Sequence, residues 1–248
     1  MRRHIVIILV SFCLISLIIS RVNAQVQAQD TTLKVLIVIA HPDDESGFSG
    51  TIYKITHDLK GQVDIALITN GEGGFKYSTL AEAYYGMELT DEKTGRKYLP
   101  AIRKQELMNA GKILGVRNYF MMDQMDNKYT TNEKDPLDTT WDVELVKRTL
   151  NQIMTRTRYD FVFTLLPVPG THGGHKAATI CALETVKNLK SDFKPIVLGG
   201  SMSSKKDTVK TSFSELSGYP VTKIKPGIPL FTFDRTVKFG FKNMLDYK

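Results

Sequence analysis

The chain has 248 residues, with 33 Lys and Arg against 26 Asp and Glu, and a formal net charge of +7 at neutral pH. Three of the arginines lie in residues 1–24, so the rest of the chain carries +4, and residues 201–248 hold nine basic and four acidic residues. The sequence has no basic stripe interleaved with aromatic residues along a predicted helix, and no nucleic-acid-binding motif. These features exclude a typical nucleic-acid-binding protein, and the length suffices for one domain with its own core.

Residues 1–24 have the pattern of an export signal. Arg2, Arg3 and His4 form a basic n-region, residues 5–19 form an almost unbroken apolar run, and Val-Asn-Ala at 22–24 supplies small residues at the usual cleavage position. The apolar run is short for a membrane span, which needs about 20 residues, but an uncleaved N-terminal anchor is the alternative. We therefore expect an exported protein, periplasmic or extracellular, that contacts a membrane only through an uncleaved signal.

Cysteine usage excludes a disulfide framework. Cys13 lies in the signal, so Cys181 is the one cysteine of the remaining chain. Cys181 shares a predicted helical face with Ala178, Thr185 and Leu189, which indicates a small core residue rather than a nucleophile. Residues 25–248 must therefore be held together by packing alone, and we expect them to form a single domain.

The most informative stretch is A-H-P-D-D-E at residues 40–45, directly after the apolar run at residues 33–39. Such a continuous run predicts a central strand of a parallel sheet, buried on both faces. A helical pattern follows, so this stretch lies at the carboxyl end of a strand, where open α/β sheets bind their ligands. His41 and Asp44 are close enough in sequence to bind one metal ion, while Asp43 can point elsewhere. The alternative is an acidic helix N-cap beside a surface histidine.

Strands and helices then alternate in the manner of βαβ units, which predicts an α/β fold with a mostly parallel central sheet. Further strands are predicted at residues 62–69, 118–122 and 159–166, and helices at residues 48–59, 99–114, 140–156 and 172–190. The glycine-rich turn at residues 70–74 lacks the phosphate-binding motifs, so it indicates a close approach of backbone to the site. Residues 75–98 form a long segment with one possible short helix, of the length that lids and binding loops have. Asp123 ends the third strand on the same edge as His41.

A second cluster, T-H-G-G-H at residues 171–175, follows the fourth predicted strand. The chain has five histidines, and three of them, His41, His172 and His175, lie just beyond predicted strands. His172 and His175 repeat the spacing of His41 and Asp44 and open a predicted helix. Because the carboxyl ends of parallel strands meet at one edge of a sheet, these side chains are expected to share a site. One such histidine is often structural, whereas three histidines and an aspartate at matching strand ends favour a metal site.

These motifs resemble the zinc-dependent PIG-L/LmbE-like N-acetylglucosaminyl deacetylases. The matching motifs occur in order within residues 33–190: A-H-P-D-D-E at 40–45, T-N-G-E at 69–72, R-x-x-E at 103–106, L-G at 114–115 and H-x-x-H at 172–175. The resemblance implies a Rossmann-like three-layer sandwich, with one zinc ion per chain bound by His41, Asp44 and His175. Gly-Gly at 173–174 stands where many members have Pro-Asp, and residues 200–248 form an extension without a clear counterpart.

The resemblance also implies roles for four further residues. Asp43 would be the general base, and a protonated His172 would act as an acid or stabilise the oxyanion. Arg103 and Asp123 would lie near the bound sugar. The partner would be an amino-sugar-containing small molecule or an envelope glycan.

Three protein ligands would leave one zinc position open for water, as catalytic zinc sites require. We therefore expect an exported zinc-dependent hydrolase that removes the N-acetyl group from an N-acetylglucosamine-type sugar or glycoconjugate through a metal-activated water. Two alternatives stay open: a zinc amidase acting on a non-sugar N-acyl amide, and a non-catalytic glycan-binding relative. The second would be expected to have lost the general base or a ligand, and here all of them are present.

Overall fold

The computed structural model describes residues 31–202, 213–224, 234, 236–238, 241–244 and 246. The expected export signal lies outside the described residues, as does much of the C-terminal extension. The chain divides into two units, Met1–Thr32 and Leu33–Lys248. None of the described helices combines the length and apolar character that crossing a membrane requires.

Five parallel strands form the central sheet in the order β3-β2-β1-β4-β5. They are β1 (Lys34–Ile39), β2 (Gln62–Thr69), β3 (Asn118–Gln124), β4 (Phe161–Leu165) and β5 (Ile196–Gly200). The chain builds outward from β1 through β2 to β3, then crosses back to place β4 on the other side of β1. The strand order therefore reverses between β1 and β4, which is the point where open α/β sheets bind ligands.

Helices cover both faces of the sheet. They are α1 (Ser49–Tyr53), α2 (Thr79–Tyr85), α3 (Glu92–Leu114), α4 (Val143–Arg156) and α5 (Gly173–Asn188). Short 3-10 helices span Asp44–Phe48, Glu72–Tyr77, Pro220–Thr222 and Phe241–Asn243, and π-helical turns span Lys54–Asp58 and Asp135–Thr140. The prediction of an α/β three-layer sandwich is confirmed.

The continuous apolar run of β1 is explained by two separate cores. Leu36 and Val38 belong to the cluster that includes Leu150 of α4 and other α4 and α5 residues. Ile37, with its neighbours on the same face of β1, packs in the cluster that includes Leu107 of α3. Burying a large aliphatic side chain of this kind stabilises the fold by about 1.5–3 kcal/mol. Neither face of β1 can therefore be polar, and the strand end that precedes the A-H-P-D-D-E motif is firmly placed.

Several helix boundaries differ from those predicted. The helix α3 begins at Glu92 rather than at residue 99, and the carboxylate of Asp91 caps it by accepting a hydrogen bond from the backbone N–H of Thr94 at 2.8 Å. The helix α4 begins after Asp142, which accepts from the backbone N–H of Leu145 at 2.9 Å. Thr140, where the helix was predicted to begin, is instead the last residue of a separate π-helical turn at Asp135–Thr140.

Cys181 is fully buried in α5 and has no disulfide partner. Burial raises the pKa of its thiol to about 12, so the thiolate is not populated at neutral pH. The prediction of a core residue is confirmed.

Candidate active site

Side chains from two strand ends meet at the point where the strand order reverses. His41 and Asp44 follow β1, whereas His172 and His175 follow β4 at the start of α5. The ring centroid of His41 lies 4.6 Å from that of His172 and 5.1 Å from that of His175. The structure therefore brings together four of the predicted site residues.

Asp44 lies between two imidazoles. Its Oδ1 is 2.9 Å from Nε2 of His175, and its Oδ2 is 3.6 Å from Nδ1 of His41. The backbone N–H groups of Ala40 and His41 also donate to Oδ2, at 3.0 and 2.8 Å. Burial opposes ionisation of this carboxyl group, but its hydrogen bonds with the two histidines prevail and lower the pKa of Asp44. Asp44 is therefore a buried carboxylate at neutral pH.

His41 is buried and faces several carboxylates. Burial disfavours its charged form, but the hydrogen bond with Asp44 and the negative charges of Asp44, Asp126 and Asp43 raise the pKa of His41 above its ordinary value. The electrostatic field at this position therefore favours positive charge, as expected at a cation site.

His172 is held in one orientation by the start of α5. The backbone N–H of Gly174 donates to Nδ1 of His172 at 3.0 Å, which leaves the Nε2–H as a donor. Burial, followed by the charges of His41 and His175, lowers the pKa of His172 to about 4. This shift favours a neutral ring that donates from Nε2–H at neutral pH, whereas the resemblance implied a protonated His172.

Gly174 allows the two histidine clusters to approach each other. A Cβ atom at this position would lie 3.0 Å from Nδ1 of His172 and 3.1 Å from Cε1 of His41. Few real Cβ atoms make contacts this short, and the His172 ring is itself bound by the N–H of Gly174. The lack of a Cβ atom at Gly174, in the Gly-Gly sequence between His172 and His175, therefore permits the close packing of this site.

The histidine nitrogens form a group that could hold a metal ion. One nitrogen each from His41, His172 and His175 can be chosen so that all three lie within 4.8 Å of one another. Nδ1 of His175 lies 3.1 Å from the hydroxyl oxygen of Thr171, and such a hydrogen bond fixes the ring with Nε2 toward Asp44. Imidazole nitrogens together with a carboxylate oxygen are ligands that suit zinc.

Asp43 points toward Arg103. The side chain of Asp43 is 68% exposed, and its Oδ2 lies 3.1 Å from Nη2 of Arg103. Arg103 in turn donates from Nη1 to the backbone carbonyl of Gly71 at 2.7 Å. Gly71 has φ +73°, and a Cβ there would lie 2.8 Å from Cδ of Pro42 and 2.9 Å from Nη1 of Arg103. The glycine-rich turn thus makes the predicted close backbone approach, and Arg103 orients Asp43.

Asp123 is placed away from these groups, on the surface. Its side chain is 58% exposed and its carboxylate forms an ion pair with Lys104. The strand β3 extends to Gln124, beyond the predicted end at residue 122, so Asp123 lies within the strand rather than after it. The predicted proximity of Asp123 to the sugar therefore receives no support from its position.

Asp126 is the aspartate that the structure brings to the site, and the sequence prediction missed it. Its Oδ1 lies 3.7 Å from Nε2 of His41, and its Oδ2 accepts from the backbone N–H of Gly73 at 3.2 Å and lies 4.0 Å from Nη1 of Arg103. Asp126 follows the end of β3 by the same interval that His41 follows the end of β1. That spacing is the signal that could have identified it.

A cavity of about 140 Å³ opens beside the histidines. Its lining includes His41, Asp126, Lys128, Thr130, Trp141 and His172. The volume is comparable to the roughly 150 Å³ cavity that holds one benzene molecule, so a single six-membered ring is the right size. The mixture of charged, hydroxyl and aromatic groups suits a ring that carries hydroxyl groups.

Comparison with known proteins agrees with this site. The family model for PIG-L, described as GlcNAc-PI de-N-acetylase, matches residues 36–186. Among curated proteins, the chain is 24% identical over 175 residues to the probable N-acetyl-alpha-D-glucosaminyl L-malate deacetylase 2 of Bacillus cereus, covering 71% of this chain and 70% of that protein. The Bacillus subtilis protein of the same description is 26% identical over 162 residues, covering 65% and 64%.

Among solved structures, the chain is similar to the N,N'-diacetylchitobiose deacetylase of Pyrococcus horikoshii. The identity is 25% with a TM-score of 0.47, and the match covers 68% of this chain and 59% of that chain. The family model matches more than half of the chain and spans the two clusters, including His41 and His175. The family predicted from the motifs is confirmed. The chain belongs to the PIG-L family of de-N-acetylases, which are hydrolases of amide bonds.

Proposed function

We propose that this protein is an exported zinc-dependent hydrolase that removes the N-acetyl group from an N-acetylglucosamine-type sugar or glycoconjugate. The observation that carries the proposal is the meeting of His41, Asp44, His172 and His175 at one point, beside an exposed Asp43. The family membership and the two Bacillus relatives support an amino-sugar substrate. The pattern of residues 1–24 supports export.

The donor set fits a zinc ion. Two ligands of a tetrahedral zinc ion lie about 3.3 Å apart when each bond is about 2.0–2.1 Å long. The contacts of Asp44 with His175 and His41, at 2.9 and 3.6 Å, bracket that separation. We propose His41, Asp44 and His175 as the ligands, the set that the family motifs imply, with the third nearby imidazole, His172, left free to donate its Nε2–H. A zinc ion held there supplies a Lewis acid and lowers the pKa of water to about 7.

Two side chains of this protein, Asp43 and His172, can then provide the proton transfer and the hydrogen bond that the reaction requires. Asp43, exposed and oriented by Arg103, would take the proton of the attacking water as a general base. His172 would donate its Nε2–H to the oxyanion that develops on the acetyl carbonyl oxygen. Asp43 would next return the proton to the leaving nitrogen as the carbon–nitrogen bond breaks. The products would be acetate and the free amino sugar.

The cavity would hold the sugar ring. Hydroxyl groups of a sugar require both donors and acceptors, and the lining supplies Lys128 and Thr130 beside the carboxylate of Asp126. Asp126 also contacts His41, so it lies between the proposed metal site and the cavity. We therefore propose that Asp126, rather than Asp123, binds a sugar hydroxyl group near the reacting amide.

An acetate-release assay of the zinc-loaded protein tests the proposal. The panel should contain N-acetylglucosamine, its malate glycoside, diacetylchitobiose and non-sugar N-acetyl amides. We expect release from at least one sugar and loss of that release in Asp43→Asn. Release from non-sugar amides alone would establish the amidase alternative, and no release from any compound would contradict the proposed hydrolysis.

A further inference from the structure

Arg96 of α3 joins three segments around the candidate site, although it lies outside every predicted motif. Its Nη1 donates to the backbone carbonyl of Asp126 at 3.1 Å, and its Nη2 donates to that of Asn127 at 2.6 Å. Its Nε lies 2.8 Å from Oε1 of Glu92, one turn earlier in the same helix. The guanidinium carbon also lies 5.2 Å from the centre of the Phe75 ring. The side chain thus has its charge paired and both ends of its planar fork occupied.

The fork fixes the backbone that carries Asp126. Two successive carbonyl groups bound to one rigid guanidinium leave the intervening peptide group little freedom to rotate. The loop concerned directly follows the last residue of β3, Gln124, and has no helix or strand of its own to stabilise it. The Asp126 carboxylate, 3.7 Å from Nε2 of His41, is thus held at its oxygen by the N–H of Gly73 and at its backbone by Arg96.

We propose that Arg96 is a positioning residue that holds Asp126 against His41 and the cavity. The inference rests on the proposed function, because it assigns the residue a role in the turnover of the same site. Arg96 has no direct contact with the histidines: its donors face the two backbone carbonyls and Glu92, and Nη1 also lies 4.0 Å from Oε1 of Glu72. Removing the Arg96 guanidinium removes both of its hydrogen bonds to the backbone at residues 126–127. These peptide groups can then rotate, and the Asp126 carboxylate samples other positions.

Lys104 supplies a matched control on the same helix. It also lies on α3, and its ammonium group pairs with Asp123, only three residues before Asp126. That pair joins α3 to β3 itself, beside the loop that Arg96 contacts, and lies on the surface, since the Asp123 side chain is 58% exposed. Lys104→Gln therefore removes a cation and one link between α3 and β3 without touching the Asp126 backbone.

A double-mutant cycle measures whether Arg96 acts through Asp126. We expect Arg96→Gln to lower kcat/KM by about tenfold or more, since a displacement of about 1 Å can cost about 100-fold. The same substitution in an Asp126→Asn background should lower kcat/KM by less than about twofold, because coupled residues are not additive. Arg96→Lys, which can reach one carbonyl, should give an intermediate value, and Lys104→Gln should change kcat/KM by less than about twofold.

Hydrogen exchange of the zinc-loaded full chain provides a readout that needs no substrate. We expect faster amide exchange in residues 125–130 for Arg96→Gln than for the wild-type protein, with no change for Lys104→Gln. If Arg96→Gln does not fold, Arg96→Lys replaces it in both experiments. Unchanged exchange at residues 125–130, or an equal loss of kcat/KM with and without Asp126, would overturn the inference. A wild-type protein that releases no acetate would instead contradict the proposed function, and the exchange result would still decide the role of Arg96.

Discussion

The Nε2 atom of His175 lies 2.9 Å from Oδ1 of Asp44, which links the residues after β4 directly to those after β1. The opposite nitrogen of the same ring lies 3.1 Å from the hydroxyl of Thr171. The orientation of His175 is therefore fixed from both sides by groups on different strand ends. Such support of a metal-binding histidine normally raises its affinity for the ion.

This arrangement predicts the effect of Thr171→Val, which keeps the shape of the side chain and removes its hydroxyl group. We expect the zinc affinity to fall by about 10–100-fold, the usual cost of losing such a partner. Competition with a chelator measures the change. Thr155→Val, on the exposed surface of α4, is the matched control and should leave the affinity unaltered. Equal affinity in all three proteins would show that Thr171 does not orient the ligand.

The close packing at Gly174 gives a second prediction. Ala is favoured over Gly inside a helix by about 1 kcal/mol, so helix propensity alone predicts that Gly174→Ala stabilises the protein. We expect the opposite result for function, with kcat/KM reduced, because the new Cβ would lie 3.0–3.2 Å from the rings of His172 and His41.

Gly170→Ala is the control for that experiment. A Cβ at Gly170 meets nothing within 4 Å, so this variant should retain the wild-type kcat/KM. Melting temperatures recorded alongside the rates separate a local clash from general unfolding. Wild-type rates in Gly174→Ala would mean that the two histidine clusters can move apart without loss of function.

The pKa of His172 predicts how stability depends on pH in the metal-free protein. Its folded-state pKa is lowered to about 4 from 6.5, so between these values the unfolded chain binds a proton that the folded protein does not. Stability should therefore fall as the pH decreases from about 6.5 toward 4, by at most about 1.4 kcal/mol per pH unit.

The variant His172→Asn isolates this contribution, since Asn retains the ability to cap α5. We expect its free energy of unfolding, relative to that of the wild-type protein, to be larger at pH 5 than at pH 7.5, because the variant lacks the ring that destabilises the folded wild-type protein as the pH falls. Urea titrations of both metal-free proteins at the two pH values provide the measurement. If the variant and the wild-type protein differ in free energy of unfolding by the same amount at pH 5 and at pH 7.5, then His172 is not held neutral in the folded protein.

Export is tested by the mature N-terminus. The signal pattern predicts cleavage after Ala24, so the mature chain should begin at Gln25. Intact-mass measurement on protein recovered from the host of origin, after separation of its cell fractions, determines this directly. A full-length chain in the cytoplasmic fraction would contradict export and favour a small cytosolic amino-sugar substrate over an envelope glycan.

The elements that can be predicted best from the sequence are those in which the local residue pattern and the burial of the side chains favour the same structure. The strand β1 was predictable because apolar side chains are needed on both of its faces, and β2 was predicted with its observed bounds. The two histidine clusters were predictable because they directly follow strands. Asp126 was missed because its position depends on where β3 ends, and the apolar pattern of that strand fades before Gln124.

The contacts of Arg96 could not be predicted from the local sequence. The sequence predicts α3 only from residue 99, next to Pro100, whereas the helix begins at Glu92 and extends through the proline. A proline is disfavoured in a helix interior, so the pattern before Pro100 does not indicate a continuous helix, and the first turns of α3 fall in the long segment predicted at residues 75–98. Only the folded structure shows that this segment reaches the backbone at Asp126 and Asn127.

The adjacent residues Asp43 and Asp44 test the central claim most directly, because the proposed mechanism gives them different roles. Asp43→Ala should retain about one zinc ion per chain and lose turnover by about 10²–10⁴-fold, mainly in kcat, as for a lost acid–base group. Asp44→Ala should lose most of the zinc, and its activity should fall with the metal content.

The measurement is zinc content by elemental analysis after dialysis, together with acetate release and melting temperature, for both variants and the wild-type protein. The account predicts zinc with little turnover in Asp43→Ala, and neither zinc nor turnover in Asp44→Ala. Equal zinc retention in both variants, with activity that follows only the melting temperature, would contradict it.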